Sequence, residues 1–273
     1  GSHANWSTDI QEYMIMPFAK SYSKGIMMAA NVFHNLRELL KKNGYATTVG
    51  DEGGFAPLNV KTNSGPLDWI EKAIKISSYR LGKDIGIAID SAASSFFQDG
   101  RYLLKKQNKK LSSSEIIEFY AELKKKYNIV SIEDGLAEDD WQGWKELTAK
   151  LGKNTQIVGD DLYTTNIKRL QKGIELRASN SILIKLNQIG TLSETLDVIT
   201  LAKKSGFTAV ISHRSGETED TTISHLVVGC STGQIKAGSL CRGERICKYN
   251  ELLRIEEELG RSAKYLGKKV FRF

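Results

Sequence analysis

The chain has 273 residues, of which 40% are hydrophobic and 26% are charged, and its formal net charge is +7. This composition excludes a disordered or low-complexity protein, and the length suffices for a large core or for one α/β barrel. No apolar run approaches the roughly 18 residues that a membrane helix needs, and no signal sequence is evident. We therefore expect a soluble, cytoplasmic protein without a membrane span.

Neither the excess positive charge nor the cysteines indicate a specialised binding module. The lysines are scattered over helical segments without interleaved aromatic residues, so we interpret them as solvated surface and expect no nucleic-acid partner. Cys230, Cys241 and Cys247 lack the CxxC spacing of a metal knuckle, and we expect reduced structural thiols.

Eight segments have the three- and four-residue apolar spacing of amphipathic helices. The first ends in lysines and stops at Gly44, the second has Pro66 in its first turn, and the third opens with serine caps. The predicted helices span residues 23–44, 66–79, 112–127, 139–152, 166–175, 191–206, 219–230 and 244–260.

Short runs rich in isoleucine and valine lie between these helices and favour buried strands. Strands that alternate with helices of this length predict parallel βαβ units, and therefore an α/β fold. The predicted strands span residues 85–90, 128–134, 155–161, 181–186, 208–213 and 233–238.

An ionisable residue stands near the end of each predicted strand, and successive positions are 43, 27, 25, 28 and 23 residues apart. In a (β/α)₈ barrel the carboxyl ends of the strands converge on one mouth, where catalytic residues meet. One buried lysine is more simply explained as a side chain that reaches solvent, but six such positions in succession indicate an active site. The positions are Asp90, Glu133, Asp160, Lys185, His213 and Lys236.

Three of these residues, Asp90, Glu133 and Asp160, stand on consecutive predicted strands, where their carboxylates would repel one another unless a cation lay among them. Each acid alone could cap a strand end or form a salt bridge, but the set favours a metal site. Three oxygen ligands, with further positions left to water and substrate, suit Mg²⁺, and no cysteine or histidine pair offers a site for a softer metal.

The remaining residues, together with the arginine that follows the histidine, form a positive arc of Lys185, His213, Arg214 and Lys236. A substrate that bridges the metal and this arc should be an anion, such as a carboxylate or a phosphate. Burial and positive neighbours lower the pKa of a lysine, so we expect Lys185 to be neutral near pH 7. It would then remove a proton beside a carboxylate, with Mg²⁺ holding the resulting enediolate.

Six long motifs follow one another in order over practically the whole chain. They are "GDEGGFAP" (50–57), "SIEDGLAEDDW" (131–141), "IVGDDLYTTN" (157–166), "LIKLNQIGTLSE" (183–194), "SHRSGETED" (212–220) and "LLRIEEELG" (252–260). They resemble the motifs of the enolases, and Gly135 in the second resembles the bacterial form. The resemblance implies a TIM-type (β/α)₈ barrel with an irregular ββαα start, and a lyase of glycolysis that converts 2-phosphoglycerate to phosphoenolpyruvate.

The same resemblance implies roles in the chemical step. The three acids of the metal site would bind the first Mg²⁺, and Lys185 would take the proton from C2 of the substrate. Glu52 would protonate the departing C3 hydroxyl with support from Glu12, because two glutamates in one mouth push one pKa upward. Without its motif, Glu52 is more simply an ordinary turn residue.

Substrate contacts are implied in the same way. Lys236 resembles the lysine that contacts the substrate carboxylate, and His213 resembles the histidine near the reacting hydroxyl. Arg214 and Ser215 resemble phosphate ligands, since a guanidinium and a hydroxyl both donate to phosphate oxygens. His3 matches an active-site histidine of the family, which favours a native residue over the remnant of an expression tag.

Enolases carry a preceding α+β capping domain whose loop covers the mouth and supplies a ligand to a second Mg²⁺. The resemblance implies that residues 1–273 are the catalytic barrel alone. Closing a site excludes water and completes the catalytic groups, so we expect this barrel to be weakly active or inactive without the capping domain. The full-length family members form homodimers and sometimes octamers.

Two alternatives remain open. A related acid-sugar dehydratase or racemase should lack "SHRSGE" and carry its bases at other positions. A non-catalytic binding role, such as a plasminogen receptor at the cell surface, belongs to a different class, and the final "KKVFRF" offers no terminal lysine to support it directly.

Overall fold

The computed structural model describes residue 1, residue 4 and residues 6–271, and it shows an α/β protein in which helices surround a curled sheet. All eight predicted helices are confirmed to within a few residues at each end, and the described residues add one short helix. The helices are α1 (Tyr22–Lys42), α2 (Gly65–Ile76), α3 (Ser113–Tyr127), α4 (Trp141–Leu151), α5 (Ile167–Leu176), α6 (Leu186–Ile189), α7 (Leu192–Lys204), α8 (Thr222–Gly229) and α9 (Gly243–Leu259).

The six predicted strands are also confirmed, and the described residues contain four more. The strands are β1 (Glu12–Pro17), β2 (Ile85–Asp90), β3 (Phe97–Gln98), β4 (Arg101–Leu104), β5 (Lys109–Leu111), β6 (Ile129–Glu133), β7 (Gln156–Gly159), β8 (Ser181–Ile184), β9 (Thr208–Ser212) and β10 (Ile235–Lys236).

The curled sheet has the strand order β1-β2-β6-β7-β8-β9-β10, and its only antiparallel pair within the described part of the chain is β1 with β2. Strands β3, β4 and β5 form a separate antiparallel sheet. Consecutive parallel strands joined through helices are the architecture of a TIM-type barrel, so the predicted fold class is confirmed.

The parallel strands are buried because helices cover the outer face of the sheet while side chains fill its inside. Every residue of β2, β7 and β8 is buried. Several helices begin at side-chain caps, such as Ser112, which forms a capping box with Glu115 at the start of α3, and Asn166, at the start of the helix that follows β7. Firm helix starts fix the loops that carry the strand-end residues.

The elements that sequence analysis does not predict are β1, the small sheet and α6. Strand β1 ("EYMIMP") lacks regular polar alternation, and β3 to β5 have only two to four residues each. The resemblance implies two strands before the first helices, but the described residues there contain β1 alone. Residues 6–10 instead form turns, in which the Asp9 carboxylate accepts hydrogen bonds from the backbone amides of Lys105 and Lys106.

The barrel wall is open on one side. Among the described residues, the edge strands β1 and β10 do not pair with each other, and all six residues of β1 are only half-buried. A cavity of about 870 Å³ lies behind this gap and is lined mainly by apolar side chains, including Met14 and Met16 of β1, Val32 of α1 and Leu252 of α9. No helix of the described chain is long and apolar enough to cross a membrane.

The open edge predicts a difference in hydrogen exchange between strands. Alternate amides of β1 face the gap and lack a strand partner, so we expect them to exchange about 10²-fold or more faster than the amides of β7, which lies inside the sheet. Residue-resolved exchange measured by NMR would test this. Equal protection of β1 and β7 would show that the β1 edge is covered.

Candidate functional site

The strand-end residues meet at one rim of the curled sheet. Asp90 and Glu133 are register partners at the ends of β2 and β6, and Glu12 lies opposite Asp90 because β1 runs in the reverse direction. The residues that directly follow β7, β8 and β9 are Asp160, Lys185 and His213.

The ammonium group of Lys236, in β10, lies at the centre of a carboxylate cluster. Its Nζ is 2.8 Å from Asp90 Oδ2, 2.8 Å from Glu133 Oε1 and 3.1 Å from Glu12 Oε1. Burial alone would lower the pKa of Lys236, but the surrounding carboxylates, Asp90 first, outweigh it and hold the pKa well above its usual value. Lys236 therefore stays charged and balances part of the negative charge at the rim.

Lys185 forms a second buried ion pair, with Nζ 2.5 Å from Asp160 Oδ2. Its side chain is 16% exposed. Sequence analysis expects a lowered pKa and a neutral amine, but the structure differs. Burial does favour the neutral form, yet the adjacent Asp160 carboxylate outweighs it and raises the pKa of Lys185.

The donor set of the predicted metal site fits a hard divalent cation, because all three side chains offer carboxylate oxygens and all three are largely buried. Burial raises the pKa of Asp90, but Lys236 outweighs it and brings the pKa below the usual value. Burial and the nearby Asp90 hold the pKa of Glu133 well above its usual value. The charges of Lys185 and Lys236 therefore do not balance all of the carboxylates at the rim. A divalent cation would relieve the repulsion that remains.

A second acidic group shares one residue with the predicted set. Carboxylate oxygens of Asp134, Asp160 and Asp161 lie within 4.8 Å of one another. The two oxygens of Asp134 already accept hydrogen bonds from the backbone amides of Asp160 (2.8 Å) and Asp161 (2.9 Å). Asp134 therefore shapes the loop after β7, and burial, with Asp160 next, holds its pKa well above the usual value.

Glu12, Glu52 and His213 form a proton-sharing group beside Lys236. Burial raises the pKa of Glu12 to about 8, against the opposing charge of Lys236. Partial burial also favours the neutral form of Glu52, but its hydrogen bond with His213, whose Nε2 lies 3.4 Å from Glu52 Oε2, and the Lys236 charge outweigh it and lower its pKa. Sequence analysis expects the proton on Glu52, whereas this geometry favours Glu12.

The expected phosphate ligands lie on the loop after β9. The Arg214 guanidinium donates to Asn187 Oδ1 at 3.1 Å, and the Arg214 backbone amide donates to Glu217. Arg214 and Ser215 are both half-buried, so solvent reaches both residues. His3 lies outside the described residues.

Sequence reasoning misses two buried cations on α9, Arg245 and Lys248, each 1% exposed. Arg245 Nη1 lies 2.5 Å from His213 Nδ1, while Lys248 Nζ pairs with Glu217 Oε2 at 2.7 Å. Their helix carries charged residues on several faces, so periodicity does not separate the buried cations from the solvated ones. Only the arrangement of the loop against α9 does so.

The comparison with known families agrees with this architecture. The family described as Enolase, C-terminal TIM barrel domain, matches residues 1–273. The match covers the whole chain, including every strand-end residue of the rim. It indicates an enzyme of the enolase superfamily and of the lyase type.

The raised pKa of Glu12 predicts that this carboxylate destabilises the folded chain increasingly as the pH rises. Burial raises the pKa of the Glu12 carboxyl from its ordinary value of 4.5 to about 8, so the folded chain keeps a proton that the unfolded chain loses between those values. The stabilisation is complete below about pH 4.5 and is lost as the pH rises to about 8. Glu12→Gln should therefore gain stability relative to the parent chain, on the order of 2 kcal/mol, between pH 5 and 8.

Urea unfolding in the presence of a chelator would measure this difference. Glu258→Gln, which changes an exposed glutamate of α9, is the matched control and should show a constant difference from the parent chain. If the free energies of unfolding of Glu12→Gln and of the parent chain changed with pH in parallel, Glu12 would not hold a raised pKa.

Proposed function

Since the chain belongs to the family of enolase C-terminal TIM barrel domains, we propose that it catalyses the dehydration of 2-phosphoglycerate to phosphoenolpyruvate. The observation that carries the proposal is the pairing of basic with acidic side chains at one rim of the curled sheet. Two lysines contact buried acids there, and a glutamate pair with a histidine lies beside them. A base and an acid that meet across one mouth suit removal of a proton and of a hydroxyl from neighbouring carbons.

Asp90, Glu133 and Asp160 would hold Mg²⁺, which supplies positive charge beside the substrate carboxylate. Their carboxylate oxygens and the unbalanced negative charge support this assignment. Lys236 stays charged in its cluster, so it is suited to attract the same carboxylate.

Lys185 would remove the proton from C2. Only the neutral amine can accept a proton, and the Asp160 carboxylate at 2.5 Å now favours the ammonium. Lys185 can therefore act as a base when the charge of Asp160 is engaged elsewhere. This requirement links the base to the assignment of Asp160 as a metal ligand.

The proton for the departing C3 hydroxyl would come from the pair Glu12 and Glu52. Glu12 holds a proton near neutral pH, and Glu52 lies between Glu12 and the His213 imidazole. We assign the donation to the pair, with Glu52 facing the substrate as the resemblance implies. The phosphate would be bound by Arg214 and Ser215, with His3 as a further contact.

The open barrel wall supports a contribution from further polypeptide. We propose that an N-terminal capping domain, which the resemblance implies, completes the mouth, and that the complete protein is a cytoplasmic homodimer or octamer. The unpaired edges of β1 and β10 and the apolar cavity behind them are surfaces that additional chain would cover.

Two half-reactions test the roles of base and acid separately. Exchange of the C2 proton of 2-phosphoglycerate in D₂O, followed by NMR, reports the base, and ultraviolet detection of phosphoenolpyruvate reports elimination. Lys185→Ala should lose both by about 10²–10⁴-fold, while Glu52→Gln should lose elimination and retain exchange.

Lys204→Ala, an exposed lysine of α7, is the matched control and should retain both activities. The assays should be run with and without an added capping domain. Exchange that survives Lys185→Ala would overturn the assignment of the base. Absence of both activities from the complemented parent chain would overturn the proposed reaction.

The proposed metal site predicts which substitutions of acidic residues weaken Mg²⁺ binding. Calorimetric titration with Mg²⁺ should show binding that is weakened on the order of tenfold or more in Asp160→Asn and in Glu133→Gln, because each removes a charged ligand. Asp161→Asn is the discriminating variant. Loss of binding in Asp161→Asn with retention in Glu133→Gln would place the ion in the Asp134 group instead.

A further inference from the structure

We propose that Arg245 is a positioning residue that fixes the tautomer of His213, so that the imidazole keeps its hydrogen on Nε2 and presents it to Glu52. This inference rests on the proposed function for its catalytic meaning, but its geometry stands without it. The atoms that carry it are Arg245 Nη1, 2.5 Å from His213 Nδ1, and His213 Nε2, 3.4 Å from Glu52 Oε2.

The first step concerns the donor. A guanidinium only donates hydrogen bonds and does not lose its proton in a protein. His213 Nδ1 must therefore be the acceptor, and a neutral imidazole that accepts at Nδ1 carries its hydrogen on Nε2. His213 is 2% exposed, and burial lowers its pKa, so the neutral ring is the form to consider near neutral pH.

The second step concerns how firmly Arg245 is held. It lies in the first turn of α9, and its guanidinium donates to the backbone carbonyls of Arg214 (2.6 Å), Ser215 (2.6 Å) and Asp51 (3.2 Å). Gly238, at φ 83°, leaves room for it, because a Cβ there would lie 2.7 Å from Arg245 Cδ. One buried side chain thus joins the loop of Glu52 to the loop of His213.

The third step concerns the proton shared by Glu12 and Glu52. An Nε2–H donor that faces Glu52 favours the ionised form of that carboxylate, which leaves the proton with Glu12. A ring with its hydrogen on Nδ1 would instead present a lone pair to Glu52 and favour a protonated Glu52. Arg245, which touches neither glutamate side chain, therefore sets where the proton rests before catalysis.

Histidine side-chain ¹⁵N–¹H correlation spectra of the full chain near neutral pH would test the tautomer directly. His213→Gln assigns the resonances of His213 by their loss. We expect the parent chain to show His213 with hydrogen on Nε2 only, and an Nδ1–H tautomer in the parent chain would overturn the proposal without any further variant.

Arg245→Met removes the donor and should introduce the Nδ1–H tautomer, whereas Arg245→Lys keeps a cationic donor and should retain Nε2–H. The matched control is Lys248→Met, which removes an equally buried cation from the same helix. Lys248 contacts Glu217 and the carbonyl of Thr218 rather than His213. If Arg245→Met retains Nε2–H alone, or if Lys248→Met changes the tautomer equally, the role is structural. If Arg245→Met does not fold, the spectra of the parent chain and of Arg245→Lys decide.

A kinetic readout separates this inference from the proposed reaction. Arg245→Met should shift the pH profile of kcat for 2-phosphoglycerate with little change in KM, because the variant moves a proton between the two glutamates rather than removing a substrate contact. The tautomer is measured without turnover. A chain that fails to dehydrate 2-phosphoglycerate but shows the tautomer change would retain the positioning role and lose only the proposed reaction.

Discussion

The site depends on one interaction, the contact of the Lys236 ammonium with three carboxylates at the rim. The carboxylates of Asp90, Glu133 and Glu12 would repel one another if no positive charge lay among them. Replacing such a cluster by apolar side chains would cost the fold little, since desolvation offsets most of the attraction of a buried ion pair. The arrangement therefore adds little to stability, and it is compatible with the divalent metal of the proposed function.

The same charges decide where protons rest. Lys185 is held as an ammonium by Asp160, and Glu12 keeps a proton that Glu52 gives up because His213 faces Glu52. Under the proposed function, each group that must change its protonation state is thus held in the unreactive state by a neighbour. Engagement of Asp160 by a cation would then change the balance at the proposed base, and a substrate beside the glutamate pair would change it at the proposed acid.

The fold and most of the residues at the rim can be predicted from the sequence, because the βα unit repeats along the chain. Strand-end residues recur at the spacing of a βα unit, and the structure brings Asp90 and Glu133 into register as that spacing implies. The protonation states do not follow, since spacing places Lys185 near a metal site without specifying that its ammonium lies against Asp160. Arg245 lies on a helix whose charges have no clear period, so its burial depends on the loop that packs over it.

The edge strands explain why the integrity of the barrel and its chemistry are coupled. Glu12 begins β1 and Lys236 ends β10, and these two strands border the open wall. Their side chains meet at 3.1 Å, so this contact spans the gap at the rim and borders the apolar cavity. Movement of either edge would separate Glu12 from the charge that most opposes its raised pKa. A strand that closed the wall would fix this distance, and with it the proton that the glutamate pair shares.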